Sequence, residues 1–315
     1  MTMERNHSID VLKLICALLV VFIHCEYPYK SELLPITDVA VPLFFCISGY
    51  FVFGTKTYPK HIVRIVGIFA WSALLYLTKT EVFHLLTTNQ LWIPSLKAIC
   101  NFVFFNDVAF SIHLWYLPAY LYVLVIASLI DKYNLWKYSF CSIIPLLFIG
   151  VLIKYFIADV CPEEVEYYRN AYFNGLPYFL VGALMKKYHL WYTFKYKREW
   201  LLVIVVIFFM LRYVLDGSEL ICLVFKEIDL LLLTYCIFML TAMASVSENC
   251  LSLLGCRYSL YIYIFHVMIM SICEMSVCLL PPDICTVYMF LNPLCVFVLS
   301  IVLAYMLGKF KIIKI

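Results

Sequence analysis

The first apolar stretch of the chain carries three polar side chains whose spacing could support chemistry. Asp10, Lys13 and His24 flank or interrupt the apolar run from Val11 to Ile23. Lys13 and His24 are eleven residues apart, almost three helical turns, so both side chains project from one face, about 16 Å apart along the axis. Asp10 precedes Lys13 by one turn and can pair with it. Ionisable groups are expensive in lipid, so this face is predicted to turn toward the interior of a helix bundle or a wet cavity. An ion pair at a helix end plus an interfacial histidine would explain the same residues.

A second polar cluster precedes a later apolar stretch. Lys60, His61 and Arg64 lie together, with His61 and Arg64 one turn apart at a predicted helix start. Backbone N–H groups and cations at such a position favour a phosphate-bearing ligand. The alternative interpretation is that these cations only set the topology of the chain in a membrane.

The elements that must position these side chains are membrane-spanning helices. The 315 residues are 65% hydrophobic and 14% charged, with a mean hydropathy of +0.95, far from the balance of soluble domains. Because backbone polar groups must be satisfied inside hydrocarbon, and because the apolar runs are continuous rather than alternating, helices are expected rather than a barrel. Nothing in the composition supports nucleic-acid binding.

The apolar stretches predict an all-α polytopic membrane helical bundle of about ten transmembrane helices. The predicted spans are 9–27, 39–54, 62–78, 114–130, 138–157, 171–185, 199–215, 228–245, 258–275 and 286–308. The long interruption 79–113 is predicted to hold an interfacial or re-entrant piece. With both termini in the cytoplasm, most of the 23 lysines and arginines fall on inner segments. The expected organisation is a single membrane domain, 1–315, without an appended soluble domain.

Two further features are interpreted as packing. The stretch 41–54 carries Pro42, Ser48, Gly49 and Gly54, small or helix-modifying residues that permit close helix approach. The 14 cysteines and seven histidines show no metal-ligand spacing, so no metal is predicted.

Six segments, in order, carry a resemblance to a known family. They are IDVLKLICALLVVFIHC, VPLFFCISGYFVFG, KHIVRI, HLWYLPAYL, RNAYFNGLPYFLVGALM and SLYIYIFHVMI. Together they make the chain, from about residue 9 to residue 270, resemble the acyltransferase 3 family of membrane acyltransferases. The family's first helix has a basic residue, ten intervening residues and a histidine, and Lys13 with His24 fits this pattern, with Lys where Arg is commoner.

The resemblance implies a function and several roles. It implies transfer of an acyl group, usually acetyl from acetyl-CoA, to a hydroxyl of a cell-envelope glycan or lipid-linked sugar, with His24 as the catalytic histidine. A family motif of two arginines three apart maps onto His61 and Arg64, so this chain departs at the first position. The implied location is a bacterial inner or plasma membrane, crossed several times. Lys13 either orients the donor or pairs with Asp10, and both interpretations stay open.

Four other positions are candidates for contact with the acceptor. His113 and Trp115 open a predicted span, and Arg169 precedes another; interfacial anchoring and loop solvation are the alternative explanations. His266 lies inside an apolar helix at a position where the resembled family also tends to have a histidine. A satisfied interior histidine is the alternative there.

Two other function classes stay open at this point. Polar residues that line a helical bundle also mark translocation pathways, so a transporter or exporter of a polar solute or glycan intermediate is the principal alternative. A scaffold or receptor would tolerate substitution at both Lys13 and His24, whereas an acyltransferase would not.

Overall fold

The computed structural model describes residues 5–158, 160–161, 163–189, 198–214, 217–277 and 281–309, and no strand occurs among them. The chain forms thirteen α-helices within these ranges. They are α1 (His7–His24), α2 (Lys30–Thr37), α3 (Ala40–Val52), α4 (Tyr58–Thr88), α5 (Leu96–Phe105), α6 (Tyr116–Lys132), α7 (Trp136–Cys141), α8 (Ile143–Ala158), α9 (Leu176–Lys187), α10 (Arg198–Val214), α11 (Leu220–Met243), α12 (Cys250–Val277) and α13 (Pro282–Lys309). Short 3-10 turns cover Ile112–Trp115 and Val165–Tyr167, and a π-helical turn covers Ala171–Gly175.

Six helical segments in the described ranges are long and apolar enough to cross a membrane. They are His7–His24, Lys30–Val52, Tyr58–Thr88, Ile112–Lys132, Cys250–Ser276 and Val287–Lys309. The all-helical, multi-pass prediction is therefore confirmed. The four other predicted spans are also helical, as α8, α9, α10 and α11. The total of ten spans and the cytoplasmic placement of both termini stay predictions.

The predicted end of the third span at residue 78 is wrong. Helix α4 continues to Thr88 and ends at Asn89, whose left-handed backbone (φ 57°) caps it. The hydroxyls of Thr78, Thr87 and Thr88 each donate to the carbonyl four residues earlier, so these polar residues continue the helix instead of ending it. The rest of the predicted interruption contains α5.

The helices cluster into two compact units. The first unit comprises Met1–Phe44, Leu190–Asp216 and Asp229–Ile315. In this unit α1 packs along α12 and also contacts α13 and α2. Asn6 caps the start of α1 by accepting hydrogen bonds from the backbone N–H groups of Ser8 and Ile9.

Helix α1 approaches α12 very closely. A Cβ atom added at Gly255 would lie 1.9 Å from the carbonyl oxygen of Asp10, so only glycine fits at this crossing. Small residues permit this approach, which maximises van der Waals contact where no hydrophobic driving force exists between helices. The crossing fixes the register of α1 against α12.

The second unit comprises Phe45–His189 and Gly217–Ile228. A Cβ atom at Gly49 would lie 1.9 Å from the carbonyl oxygen of Phe179, and one at Gly182 would lie 1.9 Å from that of Cys46. The two glycines thus let the backbones of α3 and α9 meet at two neighbouring points. The prediction that small residues of the stretch 41–54 serve helix packing is confirmed for Gly49.

Candidate functional site

The polar end of α1 is an ion network centred on Asp10. Its carboxylate accepts from the Arg5 Nε at 2.8 Å and from the Lys13 Nζ at 3.0 Å. Asp10 is buried, whereas Lys13 is half-buried and Arg5 is exposed. The predicted pairing of Asp10 with Lys13 is confirmed. Two cations around one buried carboxylate remove the cost of an uncompensated charge at the start of the helix.

The other end of α1 places two histidines side by side. The rings of His24 and His266 have centroids 5.1 Å apart, with 45° between their planes. His266 is fully buried, whereas His24 is half-buried. The Nδ1 of His266 lies 2.8 Å from the Tyr263 carbonyl oxygen and 3.2 Å from that of Ile262. Since both oxygens can only accept, we assign the proton of His266 to Nδ1, which makes Nε2 the acceptor in the neutral ring.

The predicted polar face of α1 is directed at α12 at both of its ends. Asp10 abuts Gly255 and His24 abuts His266, so α1 and α12 run in the same direction. Both the six candidate segments and the ten predicted spans place an odd number of crossings between α1 and α12, so their parallel direction agrees with either count. Ile15, which is exposed, lies on another face of α1. The buried face of α1 therefore carries the ionisable groups.

The predicted donor-binding cations lie in the first turns of α4, in the second unit. Lys60 and Arg64 are exposed and His61 is half-buried. No carboxylate among the described residues forms an ion pair with Lys60 or Arg64. Helix α4 begins without a side-chain cap at Thr57, so its early N–H groups have no side-chain acceptor at that residue. Their role in binding a donor stays a prediction.

The predicted acceptor residues of the second unit come together. His113 is buried, its Nδ1 lies 2.9 Å from the Ser111 Oγ, and its ring meets the Tyr76 ring edge-on with centroids 4.6 Å apart. The Arg169 guanidinium lies over the Trp115 ring, 5.4 Å from its centroid. This cation–π contact places a distant loop residue beside the 3-10 turn that carries both His113 and Trp115.

Asp107 extends this cluster on its polar side. It lies in the turn between α5 and the 3-10 turn, and burial raises the pKa of its carboxyl, while the charge of Arg169 acts in the opposite direction. The neighbouring Asn106 accepts from the backbone N–H of Ala171 at 3.0 Å, which ties this turn to the π-helical turn. The sequence reasoning did not select Asp107, because a single aspartate in a loop gives no signal by itself.

A buried charge cluster in the first unit was also missed. Arg212 Nε lies 3.6 Å from an Asp229 carboxylate oxygen, and Arg212 Nη2 lies 3.6 Å from an Asp38 carboxylate oxygen. The side chains of Arg212 and Asp229 are only 7% and 4% exposed. Neither carboxylate oxygen of Asp229 accepts a hydrogen bond from any part of the chain that the structure describes. The available signal was a charged residue inside each of two largely apolar helices, but a single sequence does not reveal that Arg212 and Asp229 meet.

Metal ligation is not indicated in the described ranges, where no three His, Cys, Asp or Glu side chains gather closely enough to hold an ion. The sequence leaves open whether Cys278 and Cys285 pair in an outer loop. Cys278 lies outside the described residues.

The fold and these clusters define a multi-pass helical membrane protein with ionisable side chains turned into its interior. Comparison with known families gives a match to the acyltransferase 3 family, described as an acyltransferase domain, over residues 6–309. The chain therefore belongs to this family, and the resemblance stated from its motifs is confirmed.

Two curated relatives show partial similarity. An amino-acid racemase of Enterococcus faecalis is 30% identical over 145 residues, which is 40% of this chain and 20% of that protein. A serine/alanine racemase of Enterococcus gallinarum is 32% identical over 129 residues, 36% of this chain and 18% of that protein. The match thus spans about a fifth of each relative. No solved structure matches the chain.

Proposed function

We propose that the chain transfers an acyl group, in the simplest case acetyl, from acyl-CoA to a hydroxyl of an envelope glycan or lipid-linked sugar. Membership of the acyltransferase 3 family supports the reaction class. The observation that carries the assignment to particular residues is the placement of His24 beside His266 on the interior face of α1.

In the proposed reaction His24 is the general base. Its imidazole takes the proton of the acceptor hydroxyl as the oxygen attacks the thioester carbonyl carbon. The new C–O bond replaces the C–S bond, and the departing thiolate recovers the proton from His24 as free CoA. Electrons and protons therefore balance within the acceptor, the donor and one imidazole. Histidine suits this step because its unperturbed pKa lies close to neutrality.

His266 is proposed as the positioning residue for His24. Its Nδ1–H is bound by two carbonyl oxygens of its own helix, so its ring orientation is fixed. With its proton on Nδ1, the Nε2 of the neutral ring can accept a hydrogen bond. A fixed acceptor beside a half-buried base would hold that base in one orientation, which is what efficient proton transfer requires.

Asp10 and Lys13 keep two proposed roles. Lys13 either orients the donor or serves only to neutralise Asp10, with which it is paired at 3.0 Å. Arg5 binds the same carboxylate, so Asp10 retains one cation if Lys13 engages a ligand. This double pairing is compatible with both roles of Lys13.

The CoA donor is proposed to bind through its phosphates at Lys60, His61 and Arg64. Exposed cations at an uncapped helix start suit phosphate oxygens. Arg64 can form bidentate contacts, whereas His61 supplies a weaker donor where the family motif has a second arginine. We place this cluster and both chain termini on the cytoplasmic side of a bacterial cytoplasmic membrane, where CoA thioesters are found and where the excess of cations is expected.

The acceptor is proposed to contact His113, Trp115 and Arg169. An aromatic face, a guanidinium and a buried imidazole in contact with Ser111 suit a polyhydroxylated ligand, because hydroxyl groups both donate and accept hydrogen bonds. His266, predicted from the sequence to contact substrate, is assigned here to positioning because its ring lies against His24 and its Nδ1 is bound within its own helix.

The test uses the full chain, purified in detergent or reconstituted into nanodiscs, with labelled acetyl-CoA and an envelope glycan extract. His24→Ala is expected to lower the rate of label transfer by about 100-fold or more, the usual contribution of a general base. His84→Ala is the matched control, because the hydrogen bonds of the His84 ring within the described residues go to Thr88 and to the Gln90 carbonyl, at the end of its own helix and in the following loop. Thermal unfolding of both variants should match that of the parent protein.

Unchanged transfer by His24→Ala would reject the proposed mechanism. Movement of a labelled solute into proteoliposomes without release of free CoA would instead support the transporter alternative. Mass spectrometry of envelope glycans from cells with and without the protein should show a difference of one acyl group per modified sugar.

A further inference from the structure

The second unit contains a cavity that the proposed chemistry does not use. Its volume is about 370 Å³, and it lies between α4, α5 and the turn 107–110. Phe69, Ala73 and Leu77 line it from α4, and Ile99 and Phe102 line it from α5. Binding sites for small molecules occupy a similar range, about 300–1,000 Å³, and are lined mainly by apolar side chains with a few polar groups.

The cavity wall is built from packed aromatic rings. Phe69 and Phe102 stack with their ring centroids 5.9 Å apart, and Trp92 meets Phe110 edge-on at 6.3 Å. The first pair joins α4 to α5. The second pair joins the loop before α5 to the turn 107–110. Aromatic rings thus form part of the cavity wall, beside the aliphatic side chains of α4 and α5.

One side of the cavity adjoins an exposed apolar surface. Ile99 lines the cavity and is itself 48% exposed. The neighbouring Leu96 and Ile93 are 78% and 81% exposed. Exposed apolar side chains of this size mark a surface that suits lipid or another apolar partner. A hydrocarbon chain would therefore reach the cavity at Ile99.

One polar group of the cavity, Asp107, lies near the acceptor cluster. Asp107 lines the cavity, and its carboxyl interacts electrostatically with Arg169, which covers the Trp115 ring. Glu81 also lines it, and its carboxylate accepts from the Trp92 backbone N–H at 3.1 Å. An amphiphile that fills the cavity with its tail would thus place its head group beside carboxylates, a guanidinium and an indole face.

We propose that this cavity holds the hydrocarbon chain of a lipid-linked sugar acceptor, with the sugar at Asp107, Arg169 and Trp115. This rests on the proposed function and narrows it to a membrane-anchored acceptor class. The apolar wall selects the tail, and the hydroxyl groups of the sugar suit the charged side chains, since carboxylates accept and guanidinium groups donate. A freely soluble glycan would leave the apolar part of the cavity without a ligand group.

The binding test uses a photoreactive probe, a dodecyl glucoside with a diazirine in its alkyl chain. Irradiation with the full chain in nanodiscs, followed by peptide mapping, is expected to label α4 and α5. Ala73→Phe fills the cavity and should lower labelling about tenfold or more, whereas the matched Ala70→Phe, at an exposed position one turn earlier on α4, should leave it unchanged. Leu77→Ala enlarges the cavity and should preserve labelling, so loss of signal through misfolding is recognised.

Three outcomes of labelling would overturn the proposal. The first is equal labelling of the parent protein and Ala73→Phe. The second is an equal loss in Ala73→Phe and Ala70→Phe. The third is equal labelling by a diazirine phosphatidylcholine, which would make the cavity a site for bulk lipid and not for the acceptor.

The activity test uses butyl, octyl and dodecyl glucosides as acceptors. Because longer chains also partition more strongly into the bilayer, the KM is compared at a fixed chain length. Ala73→Phe is expected to raise the KM for dodecyl glucoside about tenfold and to leave the KM for butyl glucoside nearly unchanged. An equal KM of the parent protein and Ala73→Phe for dodecyl glucoside would contradict the proposal. If the parent protein transfers no acyl group to any acceptor, the proposed function fails, while the labelling experiment still reports on the cavity.

Discussion

His24 of α1 and His266 of α12 hold their imidazole rings with centroids 5.1 Å apart, and the Nδ1 of His266 is bound by carbonyl oxygens of its own helix. The two residues are more than two hundred positions apart in the chain. Their contact depends on the parallel packing of α1 and α12, which Gly255 permits by its close approach to Asp10. The properties of the proposed base are thus set by a helix near the other end of the chain.

Replacement of His266 by Phe tests its positioning role. Phenylalanine keeps a planar aromatic ring at this position, but it has neither the Nδ1–H donor nor the Nε2 acceptor. We expect kcat to fall about fivefold to tenfold, the equivalent of one hydrogen bond, with an unchanged KM for acetyl-CoA and a displaced pH–rate profile. His266→Gln, which retains polar atoms, should recover part of the rate. A parental kcat and pH profile in His266→Phe would refute the role.

Substitution at Gly255 tests the helix crossing. In Gly255→Ala the new Cβ would clash with the Asp10 carbonyl oxygen, so α1 and α12 must separate. We expect a loss of about 1–3 kcal/mol in the free energy of unfolding. The control is Gly67→Ala, where no atom lies within 4 Å of the new Cβ and helix propensity predicts a gain of about 0.5–1 kcal/mol. Thermal unfolding in detergent measures both, and a neutral Gly255→Ala would contradict the described crossing.

The Arg212 and Asp229 pair predicts a non-additive pattern. Arg212→Leu leaves the carboxylate of Asp229 buried without its nearest cation, which should cost about 3–5 kcal/mol of stability. The double variant Arg212→Leu/Asp229→Leu should recover most of this loss, since it removes both charges. Unfolding of the two single variants and the double variant completes the cycle. Additive losses would show that the two side chains do not interact.

Donor binding is tested at the start of α4. Arg64→Ala should raise the KM for acetyl-CoA about tenfold with little change in kcat, whereas His61→Arg, which restores the family pattern, should lower that KM. Lys132→Ala is the control, because this exposed cation lies at the end of α6 on the same predicted side of the membrane. If Arg64→Ala and His61→Arg keep the parental KM for acetyl-CoA, as the control does, while expression or membrane orientation changes, the cations of α4 serve topology alone.

The sequence by itself determined the helical membrane class and the polar face of α1. In hydrocarbon, the backbone N–H and C=O groups of a continuous apolar run are hydrogen-bonded within the run only if it forms a helix. The helical period places Asp10 and Lys13 within reach of each other. It also identified Gly49 as a residue of close packing, since glycine in an apolar helix has few other uses. The ordered motifs indicated the family, which the match over residues 6–309 confirmed.

The tertiary structure alone decided which distant residues meet. Helical period gives the direction of a side chain on its own helix, but the partner depends on which helices pack and in what register. The contacts of His24 with His266, of Arg169 with Trp115 and of Arg212 with Asp229 all join distant segments, and no local pattern encodes them. The extension of α4 to Thr88 was missed for a different reason. Its polar threonines favour a loop in the sequence, but in the structure they lie within the helix. Their hydroxyl groups donate hydrogen bonds to backbone carbonyls of the preceding turn.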